Sequence, residues 1–205
     1  MRYHRSLISQ PPKGLVSHWR FDGNVLDSVG NNDGTIYGDP QFVQGVNGQA
    51  LSFDGVDDYV GVANSAVNVD TTKEFSLSAW IKATDNGGDN SVLTLLGGNQ
   101  SRFDLTNGPT YIYQDDSGRY HINRLSGTTL DDQWHHVVWV ISNSVFYGYV
   151  DGVLVGQANI PNPNTGSFGQ LDFATAQGSS QNLKGLIDEA RIYNRALSQQ
   201  EIQNL

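Results

Sequence analysis

Four Asp-Gly pairs spread over the chain constrain its fold more than any other feature. They occupy residues 22–23, 33–34, 54–55 and 151–152. Asp-Gly favours the two-residue type I′ turns that join neighbouring antiparallel strands. The pair at 151–152 separates two β-rich runs, VFYGYV and GVLVGQA, and therefore predicts a hairpin. A chain interrupted so often by turns is expected to consist of many short strands.

Alternation of apolar and polar residues leads to the same expectation. In EFSLSAWIKA one face of a strand would carry Phe75, Leu77, Ala79 and Ile81, and the opposite face would carry Trp80. HHVVWVIS is a further β-rich run. No helical patterns alternate with these runs, so a parallel α/β sheet is disfavoured. The pattern predicts an all-β fold, an antiparallel β-sandwich of the jelly-roll kind.

The last ten residues, ALSQQEIQNL, form the one segment that favours a helix. Ser198 stands at a possible N-cap, and Glu201 comes three residues later. This spacing is typical of a capping box, in which each side chain accepts a hydrogen bond from the other residue's backbone N–H. We expect a short C-terminal helix of two or three turns.

The composition excludes several kinds of site and partner. The 205 residues include no cysteine, so disulfides, thiolate metal sites and a cysteine nucleophile are excluded. Acidic residues number 21 against 12 basic ones, which gives a net charge of −9. This charge repels polyanions, so nucleic acid and anionic membranes are not expected as partners. No run approaches the roughly 20 apolar residues of a membrane span, so membrane insertion is not expected.

The first 13 residues differ from the rest of the chain. MRYHRSLISQPPK lacks the apolar stretch of a signal peptide, and a Pro-Pro step separates it from the β-rich sequence that begins near Gly14. Residues 1–13 are therefore predicted to be a tail or linker, and residues 14–205 to form one domain.

Six phrases of the sequence resemble, in order, the LamG-like (laminin G type) jelly rolls of the concanavalin A-like lectin/glucanase superfamily. They are GLVSHWRFDGNVLDSVGNNDGTIYG, GQALSFDGVDDYVGV, EFSLSAWIKA, DQWHHVVWVIS, YVDGVLVG and LKGLIDEARIYNRALSQQEI. The resemblance covers nearly everything from Gly14 to Leu205 and implies a concanavalin A-like jelly roll. That superfamily includes lectins, carbohydrate-binding modules, adhesion domains, glycoside hydrolases and polysaccharide lyases, so the fold alone does not give the function.

The glutamates argue against a glycoside hydrolase. Hydrolases on this sandwich typically carry Glu-x-Asp-x-x-Glu on one strand, whereas the three glutamates here, Glu74, Glu189 and Glu201, do not share a strand. A polysaccharide lyase remains an alternative, because Tyr120 and His121 lie on one strand close to Arg124. A structural or adhesion domain with a protein partner is the other alternative.

Asp188 and Glu189 are adjacent carboxylates in the otherwise apolar run GLIDEARIY. Strand alternation predicts that they point to opposite faces, so a catalytic pair is not expected. A carboxylate that points inward needs a cation or several hydrogen-bond donors. Calcium, which accepts about six to eight oxygen ligands, meets that need.

The resemblance implies a structural calcium that ties the N-terminal region to the last strand. The matching side chains are Asp22, Asn24, Gln49 and Asp188, with backbone carbonyls from residues 31–48 as further ligands. The alternative is that Asp22 only caps a turn and that Asp188 pairs with an arginine such as Arg191 or Arg195.

The central stretch, GGNQSRFDLTNGPTYIYQDDSGRYHINRL, combines the flat aromatic and planar polar groups that recognise sugars. Together with one residue of an earlier strand, it could line the concave sheet with Trp80, Arg102, Asp104, Tyr111, Tyr113, Tyr120, His121 and Arg124. The alternative is that these aromatic residues form ordinary sandwich packing.

These observations favour a non-catalytic, lectin-like carbohydrate-binding module with one structural calcium. It would bind a glycan or polysaccharide on the concave sheet or its adjoining loops. The negative charge favours a neutral glycan over a sulfated or uronate chain. Such a module is expected to be secreted or displayed at the cell surface as part of a larger multidomain protein.

Overall fold

The computed structural model describes residues 12–63, 72–88, 90–97, 100–106, 108–163, 168–176 and 182–205. Of the predicted tail, residues 1–13, only Pro12 and Lys13 belong to these ranges, and the rest lies outside the described residues. The described ranges contain no helix that is long and apolar enough to cross a membrane.

The described residues form fifteen β-strands and one short helix, α1 (Gln199–Ile202). The strands are β1 (Leu15–Trp19), β2 (Thr35–Tyr37), β3 (Gln41–Gln44), β4 (Gln49–Asp54), β5 (Tyr59–Ala63), β6 (Phe75–Thr84), β7 (Ser91–Gly97), β8 (Ser101–Leu105), β9 (Pro109–Gln114), β10 (Tyr120–Arg124), β11 (Asp131–Ser142), β12 (Val145–Val150), β13 (Val153–Asn159), β14 (Phe168–Phe173) and β15 (Lys184–Tyr193).

These strands build two antiparallel sheets. The eight-stranded sheet has the order β13-β12-β11-β6-β15-β4-β3, and β1 pairs with the part of β15 that β4 leaves uncovered. The seven-stranded sheet has the order β10-β9-β8-β7-β14-β5-β2. The predicted all-β jelly-roll sandwich with a short C-terminal helix is therefore confirmed.

The core lies between the two sheets, where the apolar faces of their strands meet. The predicted face of β6 is confirmed, since Phe75, Leu77, Ala79 and Ile81 are all buried in this core. Burial of such side chains contributes roughly 1.5–3 kcal/mol each and is the main force that joins the sheets.

A row of stacked rings extends this core along the seven-stranded sheet. Phe103 stacks on Tyr111, Tyr111 on Tyr113, and Tyr113 on His121, with centroid separations of 5.1, 5.2 and 4.8 Å. Burial raises the pKa of Tyr113 to about 12, and its hydroxyl donates to the carbonyl of Pro161 at 2.7 Å. Tyr111 and Tyr113 do share a face, but it is the core face. The prediction that they line an open binding surface is therefore wrong.

Local turn and cap signals have mixed outcomes. Asp151 and Gly152, with φ values of 50° and 75°, form the two-residue turn between β12 and β13, so this hairpin is confirmed. Ser198 and Glu201 form the expected capping box. The helix after this cap has only about one turn instead of two or three, because it already ends at Ile202.

Two tyrosine variants would separate core from surface on the seven-stranded sheet. Tyr111 is almost fully buried, so Tyr111→Ala is expected to lower the free energy of unfolding by about 3–5 kcal/mol, as for other large core side chains. Tyr120 is 55% exposed, and Tyr120→Ala should change it by less than about 0.5 kcal/mol. Urea denaturation measures both values, and an unchanged midpoint for Tyr111→Ala would contradict the core assignment.

Candidate functional site

Asp188 and Glu189 lie at a β-bulge in the middle of β15. The pairing with β6 shifts between Asp188 and Arg191, and Glu189 adopts a left-handed conformation with φ of 52°. On its other edge, β15 pairs with β4 up to Ile187 and with β1 from Ala190 onwards. The two carboxylates therefore occupy the point where one neighbouring strand replaces another.

Glu189 is held by three donors that come from different parts of the chain. It accepts hydrogen bonds from His18 Nε2 at 2.8 Å and Asn47 Nδ2 at 3.0 Å, and from the guanidinium of Arg191. Burial alone would raise the pKa of Glu189, but the bond from His18 and the charge of Arg191 outweigh burial and lower it. Glu189 is thus an ionised group that joins β1, the loop at Asn47 and β15.

Asp188 is only partly satisfied. Its Oδ2 accepts hydrogen bonds from the backbone N–H groups of Val46 at 2.8 Å and Asn47 at 3.0 Å. Its Oδ1 is buried and has no hydrogen-bond partner among the described residues. Burial, and then the charge of Glu189, raise the pKa of Asp188 in spite of its backbone hydrogen bonds. This arrangement leaves one buried acceptor oxygen available to a cation.

The prediction that Asp188 and Glu189 point to opposite faces is wrong. Both carboxylates reach Asn47, Asp188 through its backbone and Glu189 through its side chain. The β-bulge interrupts strand alternation at this point, because its extra residue, Glu189 in the left-handed conformation, shifts the alternation of the following residues by one position. The arginine alternative for Asp188 is also wrong, since Arg191 pairs with Glu189 and Arg195 with Glu201.

The remaining predicted calcium ligands surround the same loop. Asp22 Oδ1 accepts the backbone N–H of Gln49 at 2.8 Å. A Cβ built on Gly48 would lie 2.1 Å from Asp22 Oδ1, and one built on Gly45 would lie 2.5 Å from Asp188 Oδ2. Residues 45–49 therefore lie against both Asp22 and Asp188, with no space for side chains at these glycines.

Gln49 and Asn24 differ in how they relate to this group. A Cβ built on Gly23 would lie 3.2 Å from Gln49 Oε1, so the Gln49 amide adjoins the turn that carries Asp22. The side chain of Asn24 acts within its own turn, where Oδ1 accepts from Leu26 N at 3.0 Å. The structure therefore brings Asp22, Gln49 and Asp188 to one loop, with Asn24 beside them in a local role.

The outer face of the seven-stranded sheet, the side turned away from the core, carries two transverse rows of side chains. The cross-strand register aligns Ile122, Ile112, Arg102, Thr94, Asp172, Gly61 and Thr35 in the first row. Two residues further along each strand, the second row includes Arg124, Thr110 and Asp104 at one side and Tyr59 and Tyr37 at the other.

The middle of this outer face is closed. Arg102 and Asp104 lie on it as alternation predicts, with 3.5 Å between Nη2 and Oδ2, but both side chains are buried. Beside them Thr94 Oγ1, on the same face, donates to Thr175 O at 2.6 Å, so the segment that follows β14 reaches this face. The prediction that Arg102 and Asp104 line an open surface is wrong, because both side chains are buried.

The β10 edge of the outer face is open. Tyr120 and Arg124 are exposed there, as predicted for a binding surface, with Ile122 between them. His121 turns to the other side, where it stacks on Tyr113 and its Nε2 lies 2.8 Å from Asp115 Oδ2. His121 therefore shares no face with Tyr120 or Arg124, and the grouping expected for a lyase is not formed.

Trp80 belongs to a different surface from the other predicted ligand residues. It lies on the eight-stranded sheet, where it stacks on His136 with ring centroids 5.2 Å apart. Burial, and then the charge of Arg191, lower the pKa of His136 to about 4, so this imidazole is neutral near pH 7. The prediction that Trp80 joins the others on one sheet is wrong, because its strand lies in the opposite layer of the sandwich.

A cleft of about 480 Å³ opens at the end of β10 beside Arg124. Its lining consists of Thr106, Arg124, Leu125, Ser126, Gly127, Thr128, Thr129 and Leu130. Four of these residues carry hydroxyl groups, and no acidic residue is among the described residues that line it. The sequence alone did not indicate this cleft, because a Ser/Thr/Gly-rich segment has the same composition as an ordinary surface loop.

Two hydroxyl groups of the cleft lack partners within the described part of the chain. The Oγ1 atoms of Thr106 and Thr129 are buried, and neither has a hydrogen-bond partner among the described residues. The great majority of buried hydroxyls are hydrogen-bonded, and an unsatisfied one costs about 1–3 kcal/mol. These two oxygens are buried within the wall of the cleft, and the exposed hydroxyl residues of its lining, which a bound molecule can contact, are Ser126 and Thr128.

The loop that forms the cleft is firmly packed. Leu125 N donates to Pro109 O at 3.1 Å, and a Cβ built on Gly108 would lie only 2.5 Å from Leu125 O. The Leu125 side chain lies against Gly148, where a built Cβ would come within 2.7 Å of its Cδ1. Such close backbone packing fixes the cleft before any ligand arrives, which lowers the entropic cost of binding.

His135 forms a separate charged group on the eight-stranded sheet. Its Nδ1 lies 2.8 Å from Asp151 Oδ2, and its Nε2 lies 3.2 Å from Asp131 Oδ1. Both ring nitrogens can donate to a carboxylate only in the imidazolium form. Burial alone would lower the pKa of His135, but the hydrogen bonds to Asp151 and Asp131 outweigh it and raise the pKa.

Comparison with known proteins identifies similar sequences and folds. A family model named Laminin_G_3, of the concanavalin A-like lectin/glucanases superfamily, matches residues 54–203. The non-toxic nonhemagglutinin of Paraclostridium bifermentans is 25% identical over 189 residues, which cover 88% of this chain and 16% of that protein. The chain thus spans only a small part of the length of that relative.

Two solved structures show the same fold. The first is domain 4 of AbnA, an extracellular GH43 arabinanase of Geobacillus stearothermophilus, in complex with arabinotriose. Its TM-score is 0.79 at 21% sequence identity, and the match covers 93% of this chain and 97% of that chain. The binding domain of Paraclostridial Mosquitocidal Protein 1 has a TM-score of 0.78 and 16% identity, over 93% of this chain and 51% of that one.

The raised pKa of His135 predicts a pH-dependent contribution to stability. This contribution should be fully present below the unfolded-state pKa of 6.5 and lost as pH rises through the higher folded-state pKa. The variant His135→Gln should therefore be less stable than the wild type at low pH, with the gap narrowing as pH rises. Urea denaturation of both proteins across this range measures the gap, and a gap independent of pH would contradict the prediction.

Proposed function

The chain belongs to the concanavalin A-like lectin/glucanase superfamily, and we propose that it is a non-catalytic carbohydrate-binding module of a larger extracellular protein. Two relatives support this proposal through their descriptions. One is a domain of an extracellular arabinanase in complex with arabinotriose, and the other is the binding domain of a mosquitocidal protein. The chain covers 16% of the non-toxic nonhemagglutinin, which fits a module within a longer protein.

The observation that carries the proposal is the hydroxyl-lined cleft beside Arg124. Its volume of about 480 Å³ lies within the range of roughly 300–1,000 Å³ that is usual for small-ligand sites. Threonine and serine hydroxyls both donate and accept, as sugar hydroxyls do, so the two sets can satisfy each other. Tyr120, exposed on the same edge strand, adds an aromatic face against which a sugar ring can pack.

The same cleft favours binding over catalysis. Glycoside hydrolysis needs two carboxyl groups about 5–10 Å apart across the bond, and the described lining of the cleft has no acidic side chain. The imidazole of His121, on β10, lies on the opposite face of that strand from Arg124 and is hydrogen-bonded to Asp115. The ligand that we propose is a neutral glycan or polysaccharide, since the net charge of −9 repels polyanionic chains.

A structural calcium forms part of the proposal, because the donor set fits one. Asp188 provides a buried carboxylate oxygen with no partner among the described residues, while Asp22 and Gln49 provide oxygens on the turns that adjoin the same loop. Oxygen donors of this kind are the ligands that calcium prefers. Asp22, Gln49 and Asp188 would hold the ion, with Asn24 next to them, and its charge would stabilise the buried carboxylate of Asp188.

Calcium is therefore expected to stabilise the folded chain. At a concentration of 100 Kd it should add about 2.7 kcal/mol, which corresponds to a Tm increase of roughly 5–10 °C for a chain of this size. The variant Asp188→Asn should lose this response, while Asp85→Asn, which alters an exposed turn aspartate, should keep it. Calorimetry with calcium and with excess chelator measures the shift. An equal Tm in both conditions for the wild type would rule out the structural ion.

Thr128→Val tests the cleft, because it removes an exposed hydroxyl of the lining with little change in shape. We expect about 5–10-fold weaker binding of the glycan, since one hydrogen bond contributes about 1 kcal/mol. The stability of the free protein should change by less than about 0.5 kcal/mol, because Thr128 is exposed. Thr84→Val, on an exposed end of the eight-stranded sheet, is the matched control and should bind normally.

A glycan array with purified protein identifies the ligand for these measurements. Retention of one glycan class without release of shortened products is the expected result. Release of shortened products would instead indicate a hydrolase or lyase. If the folded protein binds no glycan on the array, the carbohydrate proposal fails, and the adhesion alternative with a protein partner takes its place.

A further inference from the structure

Two tyrosines form a stacked pair at the β2 edge of the seven-stranded sheet, opposite the β10 edge. The rings of Tyr37 and Tyr59 lie parallel, with centroids 4.4 Å apart and an interplanar angle of 4°. The register places them directly across from each other on β2 and β5. Tyr37 is 45% exposed, so part of its ring is open to solvent.

Gly61 makes this arrangement possible. It places no side chain on the outer face between the tyrosines and β14, and a Cβ built on it would lie 3.1 Å from Tyr37 Cε2. The same Cβ would lie 3.3 Å from Asp172 Oδ1 and 3.6 Å from Tyr59 Cε2. The two rings and the Asp172 carboxylate therefore converge over bare backbone, so the tyrosines lie close against the sheet.

The stacked pair is preorganised and has polar groups beside it. An exposed tyrosine on an edge strand usually moves freely, whereas Tyr37 is fixed by stacking on Tyr59. Gln170, which is half-buried on the same face, donates from Nε2 to Asp172 Oδ1 at 2.9 Å. Asp172 is fully buried and holds the Gln170 amide in place. A fixed aromatic face next to this amide matches the apolar face and the hydroxyl edge of a sugar ring.

We infer that Tyr37 and Tyr59 form a second saccharide-binding subsite, which takes a sugar ring of the polysaccharide whose other end occupies the cleft beside Arg124. This inference rests on the carbohydrate-binding function proposed above. Tyr37, Tyr59 and Arg124 lie in the same transverse row of the outer face. Six inter-strand spacings of about 4.8 Å place the two edges roughly 29 Å apart.

The closed middle of the sheet makes these two subsites separate. Arg102 and Asp104 are buried between them, so a sugar chain cannot rest on the sheet across its whole width. A polysaccharide can still contact both edges by passing over the closed middle, whereas a trisaccharide is too short to do so. Binding at both edges should raise the affinity for polymers through a high effective concentration at the second subsite.

The experiment compares neutral polysaccharides with short oligosaccharides from the same chains. Arabinan, xylan, mannan and β-glucan, and a trisaccharide derived from each, are titrated into the wild type by calorimetry. For the glycan that binds, we expect polymer chains to bind about tenfold or more tighter than the trisaccharide. The variant Tyr37→Leu should lose this gain, while its trisaccharide binding at the cleft stays unchanged.

Two control variants on the same edge strand sharpen the test. Tyr37→Phe keeps the ring and should keep the polymer affinity. Ile36→Ala alters the neighbour whose side chain lies on the opposite side of β2, and it should also bind as the wild type does. If Tyr37→Leu does not fold, nitration of the wild type and subsequent mass spectrometry provide the same information, because bound polymer should protect Tyr37.

The outcomes separate this inference from the function on which it rests. Glycan binding that Thr128→Val weakens, with polymer affinity unchanged in Tyr37→Leu and no protection of Tyr37, would overturn the second subsite and leave the cleft intact. Absence of binding to every glycan of the panel would overturn both. Loss of the polymer gain in Tyr37→Leu alone supports the second subsite.

Discussion

The buried carboxylates of Asp188 and Glu189 are the constraint on which the rest of the sandwich depends. They lie where β1 replaces β4 as the neighbour of β15, so neither strand can supply the regular ladder hydrogen bonds at that point. Ionised groups cannot be buried there without donors. Glu189 obtains them from His18, Asn47 and Arg191, which ties the first strand and an early loop to the last strand. Asp188 obtains backbone donors for one oxygen only, and this partial satisfaction is what makes a cation a physically reasonable addition.

The inner face, the middle of the outer face and the two edges of the seven-stranded sheet differ in which residues they expose to solvent. Its inner face carries the stacked rings of Tyr111 and Tyr113, which stabilise the core and cannot reach a ligand. The middle of its outer face is closed to solvent, since polar groups such as Asp104 and Thr94 are fully buried there. Its two edges remain open, and both carry exposed tyrosines, Tyr120 on β10 and Tyr37 on β2. The binding that we propose at the edges would therefore be a consequence of the closure of the centre.

Sequence patterns predicted what short-range physics determines. The face of β6 with Phe75, the turn at Asp151 and the cap at Ser198 each depend on residues within one element, and all three are confirmed. Two residues apart on one strand, Tyr111 and Tyr113 must share a face, but alternation cannot say which face meets the other sheet. The bulge at Glu189 depends on the exchange of β4 for β1, which is set by pairing between distant segments. The cleft at Thr129 and the stacking of Tyr37 on Tyr59 likewise arise from packing between segments that have no joint signal in the sequence.

The negative charge of the chain is better explained by the aspartates of its many turns than by a role in attracting a ligand. Asp27 accepts backbone N–H groups of His18, Val29 and Asn32, and Asp58 accepts those of Asp39 and Asp54. Such aspartates are required wherever short strands end, because they satisfy backbone donors that no ladder reaches. Their charges still repel polyanions at long range, yet none of them lies among the described residues of the cleft. The neutral glycan that we propose as ligand would be affected little by the overall field and would meet, at the open edges, hydroxyl and aromatic groups instead of carboxylates.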